Sequence, residues 1–278
     1  MDRIPFGVPR LDAITGGGAP PGSVVLLAGE PGAGGREFLY TSAVMNGLAM
    51  ADSDQFGLYY GELDTNANLP TEIHYLSFTA SQAQLTEEMA FVMDEELVDA
   101  GLSHVQFADF SQQYFQLSPV PKEWYAGRSS GIDDLGKRSD RTNVFEALGT
   151  YLNEHAVGNL VCIDSVTDLL TSTSDEVSLE EITMIMKRLK KASYRWGGLI
   201  LLLLNVETLQ PVELGHLTDA TDGTIVFQWE RGGSERARTM TVRKFRGVLS
   251  RLEEENIVQF ETELQEGGFD ISDVRKIR

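Results

Sequence analysis

The sequence predicts an α/β fold in which a mostly parallel central sheet is flanked by helices and extended by antiparallel C-terminal strands. Short, continuous apolar runs recur from residue 24 to residue 204, and the stretches between them are long enough for crossover helices. Continuous runs of this kind are typical of parallel strands that are buried on both faces. A length of 278 residues allows one large domain of this class, with a core that needs no disulfide or metal.

The apolar runs account for the parallel part of the predicted sheet. They are residues 24–28, 73–78, 105–107, 160–163 and 199–204. The clearest helix between them covers residues 179–195, because Leu179, Ile182, Met186 and Leu189 fall on one face. Its opposite face is basic, with Lys187, Arg188, Lys190, Lys191 and Arg195. We expect this face to be solvated, with an acidic partner as the alternative.

The pattern changes after Asn205. Residues 224–229 and 239–245 are joined by a turn through Gly232 and Gly233 and followed by residues 257–262, which predicts antiparallel strands that close the same sheet. Residues 111–140 are too long for an ordinary connection and carry several aromatic side chains. We therefore expect a packed surface insertion there, with a partner-binding loop as the alternative.

Acidic residues dominate the charge of the chain. Asp and Glu number 42 against 23 Lys and Arg, which gives a formal net charge of -19. Such a surface repels phosphate backbones, so a generic nucleic-acid-binding protein is not expected. Arginine outnumbers lysine 16 to 7. Together with the acid excess, this composition indicates a halophilic source, in which high salt screens the self-repulsion; an ordinary acidic protein is the alternative.

Cysteine, histidine and apolar patterning exclude several other classes. The single cysteine, Cys162, cannot form an internal disulfide, and the four histidines lack the mutual spacing of a metal site. The longest apolar run, residues 199–204, is too short to span a bilayer, and residues 1–20 do not resemble a signal peptide. We therefore expect a cytoplasmic protein without membrane insertion and with no resident metal site built from histidine or cysteine.

A glycine-rich loop is the strongest local motif. Residues 29–36, GEPGAGGR, follow an apolar strand and precede a helix, which is the context in which such a loop wraps phosphates with backbone N–H groups. Against the template G-x-x-x-x-G-K-[ST], Gly29 and Gly34 match, but Gly35 stands at the lysine position and Arg36 at the hydroxyl position. The two side chains that contact outer phosphates and magnesium are therefore missing.

Two further segments make the resemblance specific. The residues FGVPRLD at 6–12 and GGGAPPGS at 16–23 precede the loop. With the loop, they resemble the opening of the KaiC-like branch of the RecA-type P-loop ATPases. The resemblance implies a RecA-like P-loop fold over residues 1–262, followed by a C-terminal tail at 263–278. It also implies a site for ATP or ADP with magnesium, formed by Gly29, Gly32, Ala33, Gly34, Gly35, Arg36, Asp164 and Asn205.

The same resemblance assigns individual roles. Asp164 follows the apolar residues 160–163 and is similar to the acidic strand end that holds magnesium through water, while Asn205 is similar to the residue that senses the outer phosphate. The family's general base, a glutamate after the second core strand, would stand where this chain has Thr79 and Ala80. Lys244 and Arg246 resemble the K-x-R-G segment that reaches into a neighbouring subunit, so we expect them at an interface.

These observations favour a regulatory or signalling subunit that does not hydrolyse nucleotide. Its nucleotide site would be weak or empty, and its partner would be an active paralogue of the RecA or KaiC type or a second copy of the chain. One alternative is an active but atypical ATPase, in which Glu30 or Glu62 supplies the base. Another is a recombination mediator on single-stranded DNA, which needs a basic groove, for example from the helix at 187–195 or the strand pair at 231–243.

Overall fold

The computed structural model describes residues 2–116, 118–125, 144–172, 178–230, 237–254 and 257–276. The strands in these ranges are β1 (Ser23–Gly29), β2 (Ile73–Ser77), β3 (Val105–Asp109), β4 (Leu160–Asp164), β5 (Leu199–Asn205), β6 (Gly223–Trp229), β7 (Arg238–Phe245), β8 (Ile257–Gln265) and β9 (Gly268–Lys276). The α-helices are α1 (Pro9–Thr15), α2 (Gly35–Ala51), α3 (Ser53–Tyr59), α4 (Gln82–Ala90), α5 (Glu95–Leu102), α6 (Ser111–Phe115), α7 (Val144–His155), α8 (Val166–Ser172), α9 (Leu179–Trp196), α10 (Pro211–Ala220) and α11 (Leu249–Glu254).

Within the described ranges, all of these strands form one sheet in the order β3-β2-β4-β5-β1-β6-β7-β8-β9. The pairs from β3 to β6 are parallel, and the pairs from β6 to β9 are antiparallel. This arrangement confirms the predicted α/β class and the antiparallel C-terminal strands. The central strand, β1, lies between β5 and β6 and is buried along its whole length.

The sheet has a hydrophobic core on each face, because successive residues of a strand point to opposite sides. In β1, Val25 and Leu27 belong to one core, whereas Val24, Leu26 and Ala28 belong to the other. Side chains of α2, α4 and α5 fill the first core, and side chains of α7, α9 and α10 fill the second. Both faces are therefore covered, as continuous apolar strands require.

The motif at residues 6–12 has a structural role at the start of the chain. Asp12 is buried, and its carboxylate accepts the backbone N–H of Phe6 at 2.8 Å, the N–H of Gly7 at 2.9 Å and the hydroxyl of Tyr60 at 3.0 Å. One side chain thus ties the segment before α1 to the end of α3.

The C-terminal end of the chain differs from the expected tail. Residues 263–278 include the end of β8 and the whole of β9, which pairs with β8. The ring of Phe269 packs beneath the glycine-rich loop, 5.4 Å from the Phe38 ring and 5.7 Å from the Phe227 ring. A Cβ atom on Gly34 would lie 2.8 Å from Phe269, and the φ of Gly34 is 111°, so only glycine fits this position.

The described part of the expected insertion is packed rather than extended. Residues 111–115 form α6, residues 122–124 form a short 3₁₀ turn, and the Phe115 ring lies 5.5 Å from the Tyr125 ring. The rest of the insertion, residues 126–140, lies outside the described residues, as does the turn at Gly232 and Gly233.

Candidate nucleotide site

The glycine-rich loop lies at the carboxyl end of the central strand. β1 ends at Gly29 and α2 begins at Gly35. The first bond within the helix runs from the N–H of Phe38 to the carbonyl of Gly34, at 2.8 Å, so the preceding N–H groups have no acceptor inside the helix. These groups and the positive end of the helix dipole favour an anion at the loop.

Residues of β6 and β7 hold the outer part of the loop. The indole N–H of Trp229 donates to the carbonyl of Pro31 at 3.1 Å, and Nε of Arg238 donates to the carbonyl of Gly32 at 2.9 Å. The Arg238 guanidinium also lies 5.0 Å from the centre of the Trp229 ring. Both contacts use loop carbonyl groups and engage no N–H group of the loop. The N–H groups of Glu30 and Ala33 already donate to the carbonyls of Phe227 and Glu30, each at 3.0 Å.

Arg36 is turned towards the carboxylate at the end of β4. Its Nη2 atom donates to Oδ1 of Asp164 at 3.0 Å, and the hydroxyl of Tyr75 donates to Oδ2 of the same carboxylate at 2.9 Å. The Asp164 side chain is 5% exposed, whereas the Arg36 side chain is 49% exposed. A half-exposed cation therefore covers a buried anion.

Burial and charge act in opposite directions on this pair. Burial raises the pKa of Asp164 above its ordinary value, and the charge of Arg36 and the Tyr75 hydrogen bond oppose that rise. Burial lowers the pKa of Arg36, but Asp164, Tyr40, Tyr75 and Glu88 together outweigh this effect and raise the pKa above its ordinary value. The guanidinium remains charged, and its charge favours the ionised form of Asp164 against the effect of burial.

A cavity of about 530 Å³ opens beside the loop. Its walls are formed by Gly29, Glu30, Pro31, Gly32, Gly35, Arg36, Glu37, Tyr40, Glu88, Phe91, Val92, Ser165, Thr167, Asp168, Leu203, Leu204 and Asn205. Among these described residues, four carboxylates face a single cation, Arg36. The electrostatic environment is therefore unfavourable for a polyphosphate.

The predicted nucleotide-binding residues divide into two groups. Gly29, Gly32, Gly35, Arg36 and Asn205 line the cavity, whereas Ala33, Gly34 and Asp164 are buried and do not belong to its wall. The side chain of Asn205 accepts the N–H of Glu207 at 3.0 Å and so caps the short 3₁₀ turn that follows β5.

The position of the missing general base holds no carboxylate. Thr79 is exposed and lines a separate cavity near Trp124 and Tyr125. Of the two alternative bases, Glu30 lines the loop cavity, but Glu62 lines a different cavity beside Asp12. Glu62 is therefore not placed to serve the loop.

The structure brings Glu88 to the cavity, although the sequence did not single it out. Its Oε2 atom accepts the hydroxyl of Tyr40 at 2.6 Å and lies 4.0 Å from Nη1 of Arg36. Glu88 belongs to α4, and only the packing of that helix near α2 brings it to the loop. Nothing in the local sequence of α4 could have indicated this position.

The magnesium ion implied by the resemblance does not fit these residues. Magnesium takes oxygen ligands in octahedral geometry, and the hydroxyl that would supply one is replaced by Arg36. The guanidinium has no lone pair for a metal and is hydrogen-bonded to the carboxylate that was predicted to hold magnesium. The ion pair and a magnesium ion therefore compete for Asp164.

Lys244 and Arg246 differ in how far they are engaged. The ammonium of Lys244 donates to the carbonyls of Thr218, Asp219 and Thr221, at 2.8 to 3.2 Å, and so caps the C-terminal end of α10. The side chain of Arg246 is 63% exposed and lies 4.0 Å from Asp222. Of the two predicted interface residues, Arg246 therefore has the side chain that is more accessible to another subunit.

Comparison with known proteins shows similarity at the level of structure. No family model matches the chain, and no curated protein matches its sequence. The chain is similar to the solved KaiC-like protein PH0186 from the hyperthermophilic archaeon Pyrococcus horikoshii OT3, with 18% identity and a TM-score of 0.60. The match covers 98% of this chain and 99% of that one.

In the part of the chain that the structure describes, no helix is both long and apolar enough to cross a membrane. The position of the glycine-rich loop and the similarity over almost the whole length agree with the resemblance inferred from residues 6–36. The chain has the RecA-type P-loop fold in its KaiC-like form.

Proposed function

We propose that this chain is a P-loop protein that does not hydrolyse nucleotide and that acts by binding a protein partner, as a regulatory or signalling subunit. The observation that carries the proposal is the ion pair between Arg36 and Asp164, because it supplies a resident cation where an active site would hold magnesium. The absence of a carboxylate at Thr79 and Ala80 supports the same conclusion, since a general base contributes about 10² to 10⁴ in rate.

Nucleotide binding and phosphate release, measured together in molar KCl, test the absence of hydrolysis. We expect weak or no binding of a fluorescent ATP analogue and no phosphate release. The double variant Gly35→Lys, Arg36→Thr should bind nucleotide more tightly but still not hydrolyse it, because no base is restored. Steady turnover that is lost in Asp164→Ala would contradict the proposal.

The atypical ATPase is the second candidate, and the position of Glu88 favours it. Glu88 lies at the loop and is 4.0 Å from Arg36, so it is the carboxylate that such an enzyme would use as a base. The substitution Glu88→Gln distinguishes the two candidates. If turnover is detected in the wild type and lost in Glu88→Gln, this alternative is correct.

The partner is tested through Arg246. We expect this side chain to face another RecA-type subunit, to which an arginine supplied in trans can be worth about 10³ to 10⁵ in rate. Light scattering of the wild type and Arg246→Ala, alone and mixed with an active paralogue, measures association. Arg243→Ala is the matched control, because Arg243 is an exposed arginine on β7, three residues before Arg246. If the wild type, Arg246→Ala and Arg243→Ala all give the same light scattering, alone and in the mixture, Arg246 does not lie at an interface.

The recombination-mediator alternative loses support from the charges on α9. Lys187 lies 3.8 Å from Asp219, and Lys190 lies 3.5 Å from the buried Asp222, so acids of the same chain partly neutralise this basic face. Such a face is poorly suited to follow a phosphate backbone.

A further inference from the structure

Three side chains that are distant in sequence meet at the start of β2. Glu72 stands just before the strand, His74 lies within it, and His155 is the last residue of α7. One ligand atom from each residue lies within 4.8 Å of the other two. We name these three residues the His74 cluster. It lies at the amino-terminal end of the parallel strands, whereas the glycine-rich loop lies at their carboxyl end.

The distances suit direct coordination of a metal ion. Nε2 of His74 lies 3.1 Å from Oε2 of Glu72. Zinc bonds of about 2.0 to 2.2 Å in tetrahedral geometry place two ligand atoms about 3.3 Å apart. The rings of His74 and His155 have centroids 5.2 Å apart, and both Glu72 and His155 are accessible from solvent. An ion can therefore reach the cluster with only small side-chain rotations.

The side chain of Asn159 contacts all three residues of the His74 cluster. Its Oδ1 atom accepts the N–H of Glu72 at 3.0 Å, and its Nδ2 atom donates to the carbonyl of His155 at 2.7 Å. These two bonds fix the orientation of the amide and place Nδ2 3.3 Å from Nε2 of His74. The same Nδ2 atom lies 3.4 Å from Oε2 of Glu72, so the amide faces both groups.

The carboxylate of Glu72 faces the same nitrogen. Nε2 of His74 and Oε2 of Glu72 lie 3.1 Å apart, so in the metal-free chain they can share one proton in a hydrogen bond. A metal ion held between them would replace that proton and use both groups as ligands. The second ring nitrogen, Nδ1, lies 2.8 Å from the hydroxyl of Tyr151, which can accept its proton and orient the ring.

We propose that Glu72, His74 and His155 bind one divalent transition-metal ion. Two imidazoles and one carboxylate match Zn²⁺, whereas Ca²⁺ and Mg²⁺ prefer oxygen ligands throughout. Because the ligands join the end of α7 to the start of β2, the ion would stabilise the folded state.

Calorimetric titration of the full chain with Zn²⁺, after treatment with a chelator that is then removed, tests the site. We expect one ion per chain in the wild type and at least about tenfold weaker binding in His155→Ala, because a ligand is lost. His216→Ala is the matched control, since His216 is exposed and lies outside the cluster. Tyr151→Phe should weaken binding by about 10 to 100-fold through loss of the outer partner.

Titration with Co²⁺ provides an independent readout of the ligands. Coordination by His74 and His155 in tetrahedral geometry should give strong visible absorption that His155→Ala and Glu72→Gln both lose. If His155→Ala does not fold, Glu72→Gln still tests the site, because Glu72 is exposed and its substitution should leave the chain folded. The proposal is wrong if the wild type binds no Zn²⁺, or if His155→Ala and Glu72→Gln both bind Zn²⁺ as tightly as the wild type does. It is also wrong if Co²⁺ bound to the wild type shows only the weak absorption typical of oxygen ligands.

Discussion

Arg36 stands where a P-loop ordinarily has a hydroxyl, and its side chain turns inward to Asp164. The guanidinium is half exposed and the carboxylate is buried, so the pair is asymmetric. Removing the cation leaves a buried carboxylate that keeps the hydrogen bond from the Tyr75 hydroxyl, at 2.9 Å. The stability of the loop region therefore depends on the arginine that stands at the hydroxyl position of the P-loop template.

We expect Arg36→Gln to lower the free energy of unfolding by about 1–3 kcal/mol, because an unpaired buried group is costly. Asp164→Asn in the same chain should recover most of the loss, since the charge that Arg36 balances is then absent. Urea unfolding of both single variants and the double variant measures the coupling. Arg243→Gln, at an exposed arginine, should have little effect. Strictly additive losses would argue against the ion pair.

Asp12 predicts a specific dependence of stability on pH. Burial raises its pKa to about 7, although the N–H groups of Phe6 and Gly7 and the hydroxyl of Tyr60 oppose the rise. Between about pH 4 and pH 7 the unfolded chain has lost this proton while the folded chain keeps it, so raising the pH favours unfolding.

The expected result is that the free energy of unfolding of the wild type falls relative to that of Asp12→Asn across this range. Chemical unfolding at several pH values and constant KCl measures it, with the variant as the non-titrating reference. Parallel profiles for the two proteins would show that Asp12 does not titrate in this window.

The site shows which residue positions a sequence can predict. Gly29 to Arg36 are contiguous, so the loop and its missing lysine were identified from local spacing alone. Glu88 and the pairing of His74 with His155 depend on how helices pack on the sheet. The expectation that the histidines form no cluster rested on their spacing in the sequence. That spacing cannot show that His74 in β2 and His155 at the end of α7 lie next to each other in the fold.

At the scale of elements, β9 supports the glycine-rich loop from beneath. Phe269 fills the space beneath Gly34, and its N–H donates to the hydroxyl of Thr41 in α2 at 2.8 Å. The strand that ends the sheet thus supports the helix that begins at the loop.

We therefore expect Phe269→Ala to cost about 3–5 kcal/mol of stability, as for other large aromatic side chains in a core. The matched control is Phe91→Ala, because Phe91 is 80% exposed and its loss should change stability by less than about 0.5 kcal/mol. Thermal or urea unfolding of both variants tests the difference. Similar losses in the two variants would mean that Phe269 does not support the core.

The strands β1 and β5 were predictable because each contains a continuous apolar run that is buried on both faces. β9 was missed for a physical reason. Only Phe269 and Ile271 are buried apolar residues in it, and they alternate with Asp270 and Ser272. In the sequence, so short an alternation does not distinguish a strand from a polar tail. The antiparallel pairing with β8 is what makes this segment a strand.

At the scale of the whole molecule, the net charge of -19 destabilises the compact state at low ionic strength. We expect the melting temperature to rise between 0.1 M and 2 M KCl, because the Debye length falls from about 10 Å to below about 3 Å. Melts in KCl measure the effect, and the same series in NaCl should give an equal rise if screening is the cause. A flat or falling melting temperature would remove the argument for a halophilic source.

The ion pair between Arg36 and Asp164 also limits the evolutionary routes open to this loop. A loop with the lysine and hydroxyl of the P-loop template needs changes at both Gly35 and Arg36. If arginine is lost first, the buried Asp164 loses its counter-ion; if lysine is gained first, two cations are crowded beside a Cβ that lies 3.4 Å from the Phe227 ring. We expect each single step to lower stability before the loop carries both side chains, so the order in which the two substitutions arise matters.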